Sequence, residues 1–209
     1  MLERVVEWLR DRKVFVRRRK SDRTRALAVL LCYAGVGVIP ASRILSGLEK
    51  VSREATRKWF HRFKEVLPKP ERKVRRAIAM DETKLKIENV QWYAWSAIDL
   101  DDGEVLAVHL SRGRSCMDTL IFLKKVSTTC KNRPLVYVDH GPWYPWSLKR
   151  YGFPYEQVTW GNRNPIEGWF SVLKSRTKRF WNRFPHGSSW RSAISWLTTF
   201  MLMYNAWRS

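Results

Sequence analysis

Acidic side chains are scarce in this sequence: 19 Asp and Glu stand against 40 Lys and Arg, a formal net charge of +21 at pH 7. That imbalance leaves a field that attracts polyphosphates and, at low salt, speeds encounter with them. Cysteine is scarce as well. Cys32, Cys116 and Cys130 are an odd number with no C-x-x-C spacing, which indicates neither a zinc finger nor a disulfide framework; a reducing cytoplasm suits them. Long apolar runs are missing. The best candidate, ALAVLLCYAGVGVI, has fourteen residues and two glycines, short of the about 20 residues a spanning helix needs, so it reads as a buried helix and no membrane span is expected. The N-terminus, MLERVVEWLRDRKVF, interleaves charges with apolar residues, unlike the continuous apolar core of a secretory signal.

With 209 residues, 44% hydrophobic and 13% aromatic, the chain has enough apolar material for one sizeable core and a small accessory module. Nucleic acid is the leading partner for so basic a chain, although a basic surface also serves membranes or RNA-rich assemblies; charge selects a class of partner and no chemistry. Residues 1–76 hold 22 basic and 8 acidic residues, against 18 and 11 in 77–209, which makes the first third the stronger DNA-binding candidate. Between the parts, LPKPERKVRR sets Pro68 and Pro70 among basic residues, a pattern that opposes helix continuation and reads as a boundary. Two domains follow: residues 1–72, helical, and residues 73–209.

Within the first, SDRTRALAVLLCYAG, PASRILSGLEK and SREATRKWFHRFKEVL predict three helices, with caps at Ser21 or Asp22 and at Ser52 and a first-turn Pro40. Ala55, Trp59, Phe63 and Val66 recur at helical spacing and face a core, leaving Arg53, Arg57, Lys58 and Lys64 toward solvent or DNA. Two short helices joined through Gly47 and followed by a basic third predict a helix-turn-helix over about residues 21–66. An ordinary three-helix bundle with a solvated basic face has the same pattern.

The larger part opens with strand signals, VRRAIAMDETKLKI, VQWYAWSAIDL and EVLAVHLS, the last two separated by the turn pair Asp102-Gly103. An antiparallel meander follows. SCMDTLIFLKKV predicts a helix, PLVYVD and YEQVTW short strands, and two helices close the chain, about Pro165 to Phe180 and about Ser188 to Tyr204. The expected fold class is α/β, a mixed sheet covered by helices, preceded by the all-α region.

Three carboxylates stand out by position: Asp81 in the first strand, Asp139 at the end of the fourth, and Glu167 in the first turn of the penultimate helix. If the first and fourth strands are neighbours, Asp81 and Asp139 face one another and the helix brings Glu167 over them. Converging carboxylates repel unless a cation intervenes, and oxygen-only ligands suit Mg²⁺ or Mn²⁺. Two such ions serve in-line phosphoryl transfer, binding the attacking and leaving oxygens. On the helix, Ser171, Lys174 and Lys178 share the face of Glu167, while Ile166, Trp169, Phe170 and Leu173 lie elsewhere and pack on the sheet. Taken alone, Glu167 also fits a plain surface role, complementing the helix N-terminus and pairing with the lysines. Glu82 is expected on the opposite side of the strand from Asp81, and Trp143 and Trp146, beside Asp139, are candidates for stacking on an unpaired base.

The ordered set AMDETKLKI, VYVDHGPWY and NPIEGWFSVLKSRTKRF resembles the acidic-triad (DDE) transposases of prokaryotic insertion sequences, of the IS6 type and its archaeal relatives. The resemblance covers nearly the whole chain. It implies an RNase H-like catalytic domain behind a helix-turn-helix, with Asp81, Asp139 and Glu167 as catalytic metal ligands and Lys174, two turns beyond the Glu, on DNA. It further implies a pair of Mg²⁺ or Mn²⁺ ions, terminal inverted repeats and target DNA as partners, and a homo-oligomer on DNA. One departure is that 27 residues separate Asp139 from Glu167, fewer than the family leads one to expect. Two other readings share these features: a catalytically inactive DNA-binding relative that occupies element ends, and an RNase H-like nuclease unrelated to transposition.

Overall fold

Helix starts in this chain are marked by side chains that satisfy the first free backbone N–H groups. In the computed structural model, which describes residues 1–15, 19–177, 184 and 187–208, Ser21 Oγ accepts from Thr24 N ahead of α2 (Asp22–Tyr33) and Ser52 Oγ accepts from Ala55 N ahead of α4 (Arg53–Arg62). Between them lies α3 (Val38–Ser46), and α1 (Leu2–Arg12) precedes all three. The third predicted helix is shorter than its periodicity: α4 stops at Arg62 and tightens into a 3₁₀ turn over Phe63–Glu65. Trp59, Phe63 and Val66 are buried as expected, joined by Thr56 and Phe60, whereas Ala55 is half-buried.

The residues form two compact units, Met1–Pro68 with Ser195–Ser209, and Lys69–Ile194. Within the first, residues of α8 (Trp190–Arg208) supply aromatic packing: Trp196 stacks on Phe200 at 5.1 Å and lies 6.2 Å from Phe60, and Tyr33 sits 5.2 Å from both Phe200 and Trp207. The sequence reading assigned all of residues 73–209 to one domain. Helical periodicity reports that α8 has an apolar face but not that the rings filling that face come from α2 and α4.

In the second unit, β1 (Ala77–Ile87), β2 (Val90–Asp99) and β3 (Val105–Ser111) make the expected meander. Glu88 and Asn89 close the first hairpin with φ of 51° and 66°, the left-handed pair whose twist suits a two-residue turn. β4 (Leu135–Val138) and β5 (Tyr155–Gln157) join in parallel, and the order is β3-β2-β1-β4-β5. This is a mixed five-stranded sheet with helices on both faces. α5 (Cys116–Ser127), started by a Ser115–Asp118 capping box, and α6 (Tyr144–Tyr151) cover one face, where Trp95 meets Phe122 and Tyr144. α7 (Asn164–Thr177) covers the other, where Trp169 Nε1 donates to Ser96 Oγ at 2.9 Å. No helix is expected from the sequence at α6; Pro145 falls in its first turn, where the missing N–H costs nothing.

Arg75, one of the basic residues of the expected boundary segment, is fully buried. Its guanidinium donates to Asp99, to Glu104 at 2.9 Å, and to the carbonyls of Thr129 (3.1 Å) and Glu71 (2.8 Å). Burying this charge is sustainable because its donors are met on several sides, and the network fixes the start of β1 to the β2–β3 turn. Among the described residues no helix is long and apolar enough to cross a membrane.

Candidate active site

Alternation along β1 and β4 decides which side chains meet. Ile78, Met80, Val136 and Val138 belong to the core under α5 and α6, so the intervening Asp81 and Asp139 fall on the α7 side. The parallel register pairs Ala77 with Leu135 and Ala79 with Tyr137; Asp81 and Asp139 each follow two residues beyond that last pair. The two carboxylates feel one another: burial raises the pKa of Asp81 most, and Asp139 adds to the rise, against the lowering effect of Arg163 and of the Glu82 N–H.

Asp139 is aimed by the turn that follows it. Gly141 N donates to its Oδ1 at 2.8 Å, and Gln157 Nε2 holds its carbonyl at 3.1 Å. A Cβ on Gly141 would lie 2.7 Å from the Trp143 ring and 2.9 Å from Asp139 Oδ1, so only glycine lets the chain pass this closely. Asp139 makes no ion pair among the described residues, which leaves carboxylate oxygen for a cation. Asp81 is engaged differently. Its Oδ1 accepts from Glu82 N at 2.7 Å, and Arg163 Nη2 donates to its Oδ2 at 2.6 Å, both side chains being about nine-tenths shielded from solvent.

Glu82 lies across the sheet from Asp81, as alternation predicts, and it is shielded from solvent there. Its side chain is 3% exposed, accepts from Tyr144 OH at 2.6 Å and from Arg114 Nη1 at 3.4 Å, and has a pKa raised by burial and by Asp81 and Asp139, against the pull of Tyr144 and Arg114. Arg114 is clamped between the rings of Tyr93 (4.8 Å) and Trp143 (4.5 Å). Trp143 is thereby accounted for as packing, whereas Trp146 is 54% exposed.

The wheel of α7 is as predicted: Ile166, Trp169, Phe170 and Leu173 are buried, and Glu167, Ser171 and Lys174 are exposed. Lys178 lies outside the described residues. Glu167 sits in the first turn, where its N–H, like that of Ile166, donates to the Arg163 carbonyl. No group of three His, Cys, Asp or Glu that could hold a metal ion occurs among the described residues; Asp81 and Asp139 come together, and Glu167 is not gathered to them. On α4, Arg53, Arg57 and Lys58 are all exposed, with Glu54 bound to Arg57 through two 2.9 Å contacts and to Lys58 at 3.6 Å. Glu54 is correspondingly held down to a pKa of about 2, first by Arg57.

The sequence pattern of the DDE domain, in its IS240-type transposase form, matches residues 75–209. The chain belongs to the DDE transposase family. Over 204 residues it is 46% identical to the uncharacterized protein MJ0017 of Methanocaldococcus jannaschii, covering 98% of this chain and 95% of that one. It is 37% identical over 54 residues to the uncharacterized protein aq_aa24 of Aquifex aeolicus, covering 26% of this chain and 45% of that one. Among solved structures it is similar to the simian T-cell lymphotropic virus intasome in complex with PP2A regulatory subunit B56 gamma, at 13% identity and TM-score 0.49, over 83% of this chain and 66% of that chain. It is also similar to the BIV integrase catalytic core domain, at 14% identity and TM-score 0.43, over 59% and 80%.

Membership in the DDE family carries DNA transposition or integration as the general class of function. All five strands of the sheet and both aspartates lie inside the matched DDE segment. Three participants escaped the sequence reading: Arg163, Glu82 and Arg114. For Arg163 a signal existed, since GNRNPIE places a basic residue one turn ahead of Glu167. Nothing local announced that its partner would be Asp81, 82 residues away.

Proposed function

We propose that this protein is an insertion-sequence transposase of the IS6 type, which binds element ends and catalyses metal-dependent strand cleavage and strand transfer. The observation that carries the reading is that Asp81 and Asp139 each lie two residues beyond the last paired positions of adjacent parallel strands, Ala79 and Tyr137, near enough for Asp139 to raise the pKa of Asp81. The donor chemistry fits Mg²⁺ or Mn²⁺: both groups offer hard carboxylate oxygen, and Asp139 has no competing cation among the described residues. Bound divalent ions would activate the attacking oxygen and neutralise charge at the scissile phosphate. Asp81 and Asp139 would hold the cation, with Glu167 as the third ligand of the proposed set.

In the first step, water attacks the phosphorus at the element's end, the bond from phosphorus to the 3′ oxygen breaks, and a 3′-hydroxyl is left. In the second, that hydroxyl attacks a target phosphodiester, whose own 3′ oxygen leaves. Lys174, on the exposed face of α7, holds a backbone phosphate, Arg53, Arg57 and Lys58 of a helix-turn-helix over α2–α4 hold the duplex, and Lys178 is a further DNA contact. The protein works as a homo-oligomer that pairs two terminal repeats and the target.

A non-catalytic DNA-binding relative is favoured by one observation, the Arg163–Asp81 ion pair, which neutralises one of the proposed ligands. Purified protein, labelled element end and Mn²⁺ separate the two. The transposase cuts, and Asp139→Asn, which keeps shape and removes charge, still binds the end but loses cleavage by at least about a hundredfold, as expected for removal of electrostatic stabilisation at a transferring phosphoryl group. Cleavage by Asp139→Asn at the wild-type rate refutes the assignment; tight end binding with no cleavage by wild type makes the binder the better account.

A further inference from the structure

Among the described residues of unit Lys69–Ile194, two buried arginines are bound to aspartates, and they are satisfied to different degrees. Arg75 meets two carboxylates and two carbonyls through its Nε, Nη1 and Nη2. Among the described residues, Arg163 makes one side-chain bond, Nη2 to Asp81 Oδ2 at 2.6 Å, and its buried Nε has no hydrogen-bond partner. A guanidinium permanently built into a fold has its donors met; one left half-satisfied in the interior carries a desolvation cost that a better partner would relieve. The chain around Arg163 is also suited to letting it go. Gly161, two residues earlier, has φ +81° with nothing within 4 Å of a built Cβ, and Trp160 is 79% exposed. On the other side, the Arg163 carbonyl receives the Glu167 N–H, so the residue that binds Asp81 is joined by a backbone bond to the first turn carrying Glu167.

We infer that Arg163 is a placeholder cation and a reserved phosphate ligand: its guanidinium neutralises Asp81 before metal arrives, and transfers to a DNA backbone phosphate when a divalent ion takes the carboxylate. The inference rests on the reading that Asp81 and Asp139 hold the metal. Exchange is favourable for both partners. Asp81 trades a monovalent charge for a divalent one, and Arg163 trades a single-point contact for an anion that its fork meets bidentately. Two uncompensated aspartates side by side would repel in the metal-free protein; the placeholder offsets that repulsion at Asp81, while Glu167 stands apart from the pair. Arg163 is thus a positioning residue in the metal-free protein and a DNA contact in the loaded one.

The test measures Mn²⁺ binding to the full chain without DNA, by the paramagnetic signal of free Mn²⁺, for wild type, Arg163→Met, Arg163→Lys and Asp139→Asn. Removing the competing charge is expected to tighten Mn²⁺ about tenfold in Arg163→Met, the order by which a neighbouring cation alters a carboxylate's affinity for positive charge. Arg163→Lys keeps the charge and is expected to stay near wild type, which separates charge from packing. A second measurement takes the salt dependence of binding to a short labelled duplex in Mn²⁺, where Arg163→Met is expected to lower the slope of log K against log salt by about 0.9, one phosphate contact. If wild type binds Mn²⁺ in a manner lost in Asp139→Asn, yet Arg163→Met binds no tighter or Arg163→Lys tightens equally, the placeholder is refuted and the metal site stands. An unchanged salt slope refutes the transfer to phosphate. If neither wild type nor Arg163→Met binds Mn²⁺, both the placeholder and the two-aspartate metal site fall.

Discussion

Single residues in this protein are held by contacts with little slack, and the turn after Asp139 has the least. Gly141 donates to Asp139 Oδ1 while the Trp143 ring closes the other side. Gly141→Ala must therefore push against an indole and a carboxylate at once. Loss of about 1–3 kcal/mol is expected for such overpacking, together with a displaced Asp139 and slower cleavage; unchanged melting and unchanged cleavage would show that the close approach is not needed. His109 offers a second residue-scale expectation. It stacks on Phe122, its Nδ1 faces Lys125 Nζ at 2.9 Å, and burial first, then Lys125, brings its pKa from 6.5 to about 4 against a small opposing pull from Asp118. Only a neutral ring accepts from an ammonium. Because the folded value lies below the unfolded one, the unfolded chain binds the proton first as pH falls, so stability is full above about pH 6.5 and declines toward pH 4. Melting temperature should fall between pH 7 and 5, and fall less in His109→Gln; a flat profile in wild type would count against the buried neutral ring.

At the scale of elements, the strands and α7 were legible in the sequence because their signals are local. Alternation through AIAMDETKLKI and VQWYAWSAIDL sets the two faces of the sheet, Asp102-Gly103 marks a turn, and the spacing of Ile166, Trp169, Phe170 and Leu173 fixes which side of α7 carries Glu167. The approach of Asp81 to Asp139 needed only the adjacency of β1 and β4, which the topology supplies. What stayed hidden depends on partners far along the chain: Arg75 reads as surface charge until Asp99 and Glu104 fold over it, and Glu82 reads as solvated until Tyr144 and Arg114 close on it. α4 shows how one element conceals its own capacity. Glu54 occupies Arg57 through Nε and Nη2 and also reaches Lys58, so two of the three proposed DNA contacts share one internal carboxylate. Glu54→Ala should raise duplex affinity and steepen its salt dependence, whereas Arg57→Ala should lower the slope by about 0.9. Filter binding over a salt series reads both; equal slopes in all three proteins would remove α4 from the DNA interface.

For the whole molecule, the decisive feature is that the N-terminal unit is not built from N-terminal residues alone. Trp196, Phe200 and Trp207 pack on Phe60 and Tyr33, and Lys64 Nζ donates to Ser195 Oγ at 2.9 Å. Cutting the chain at the basic segment near residue 72 would strip these partners away and open to water apolar surface that Phe200, Met201, Leu202 and Met203 now cover. Buried aromatic side chains of this size each contribute about 1.5–3 kcal/mol of burial, so several lost together exceed the margin by which a small domain is stable. A fragment of residues 1–72 is therefore expected to melt without a cooperative transition and to bind duplex weakly, while the full chain binds with steep salt dependence. Supplying residues 188–209 as a separate peptide should restore helicity and binding in part, because the lost contacts are intermolecular only by the cut. Circular dichroism on the fragment with and without the peptide, followed by a salt series on labelled duplex, tests this. A fragment that melts cooperatively and binds as well as the full chain would mean that α8 is dispensable to the reader of DNA, and that the two units are separable at the boundary the sequence marks.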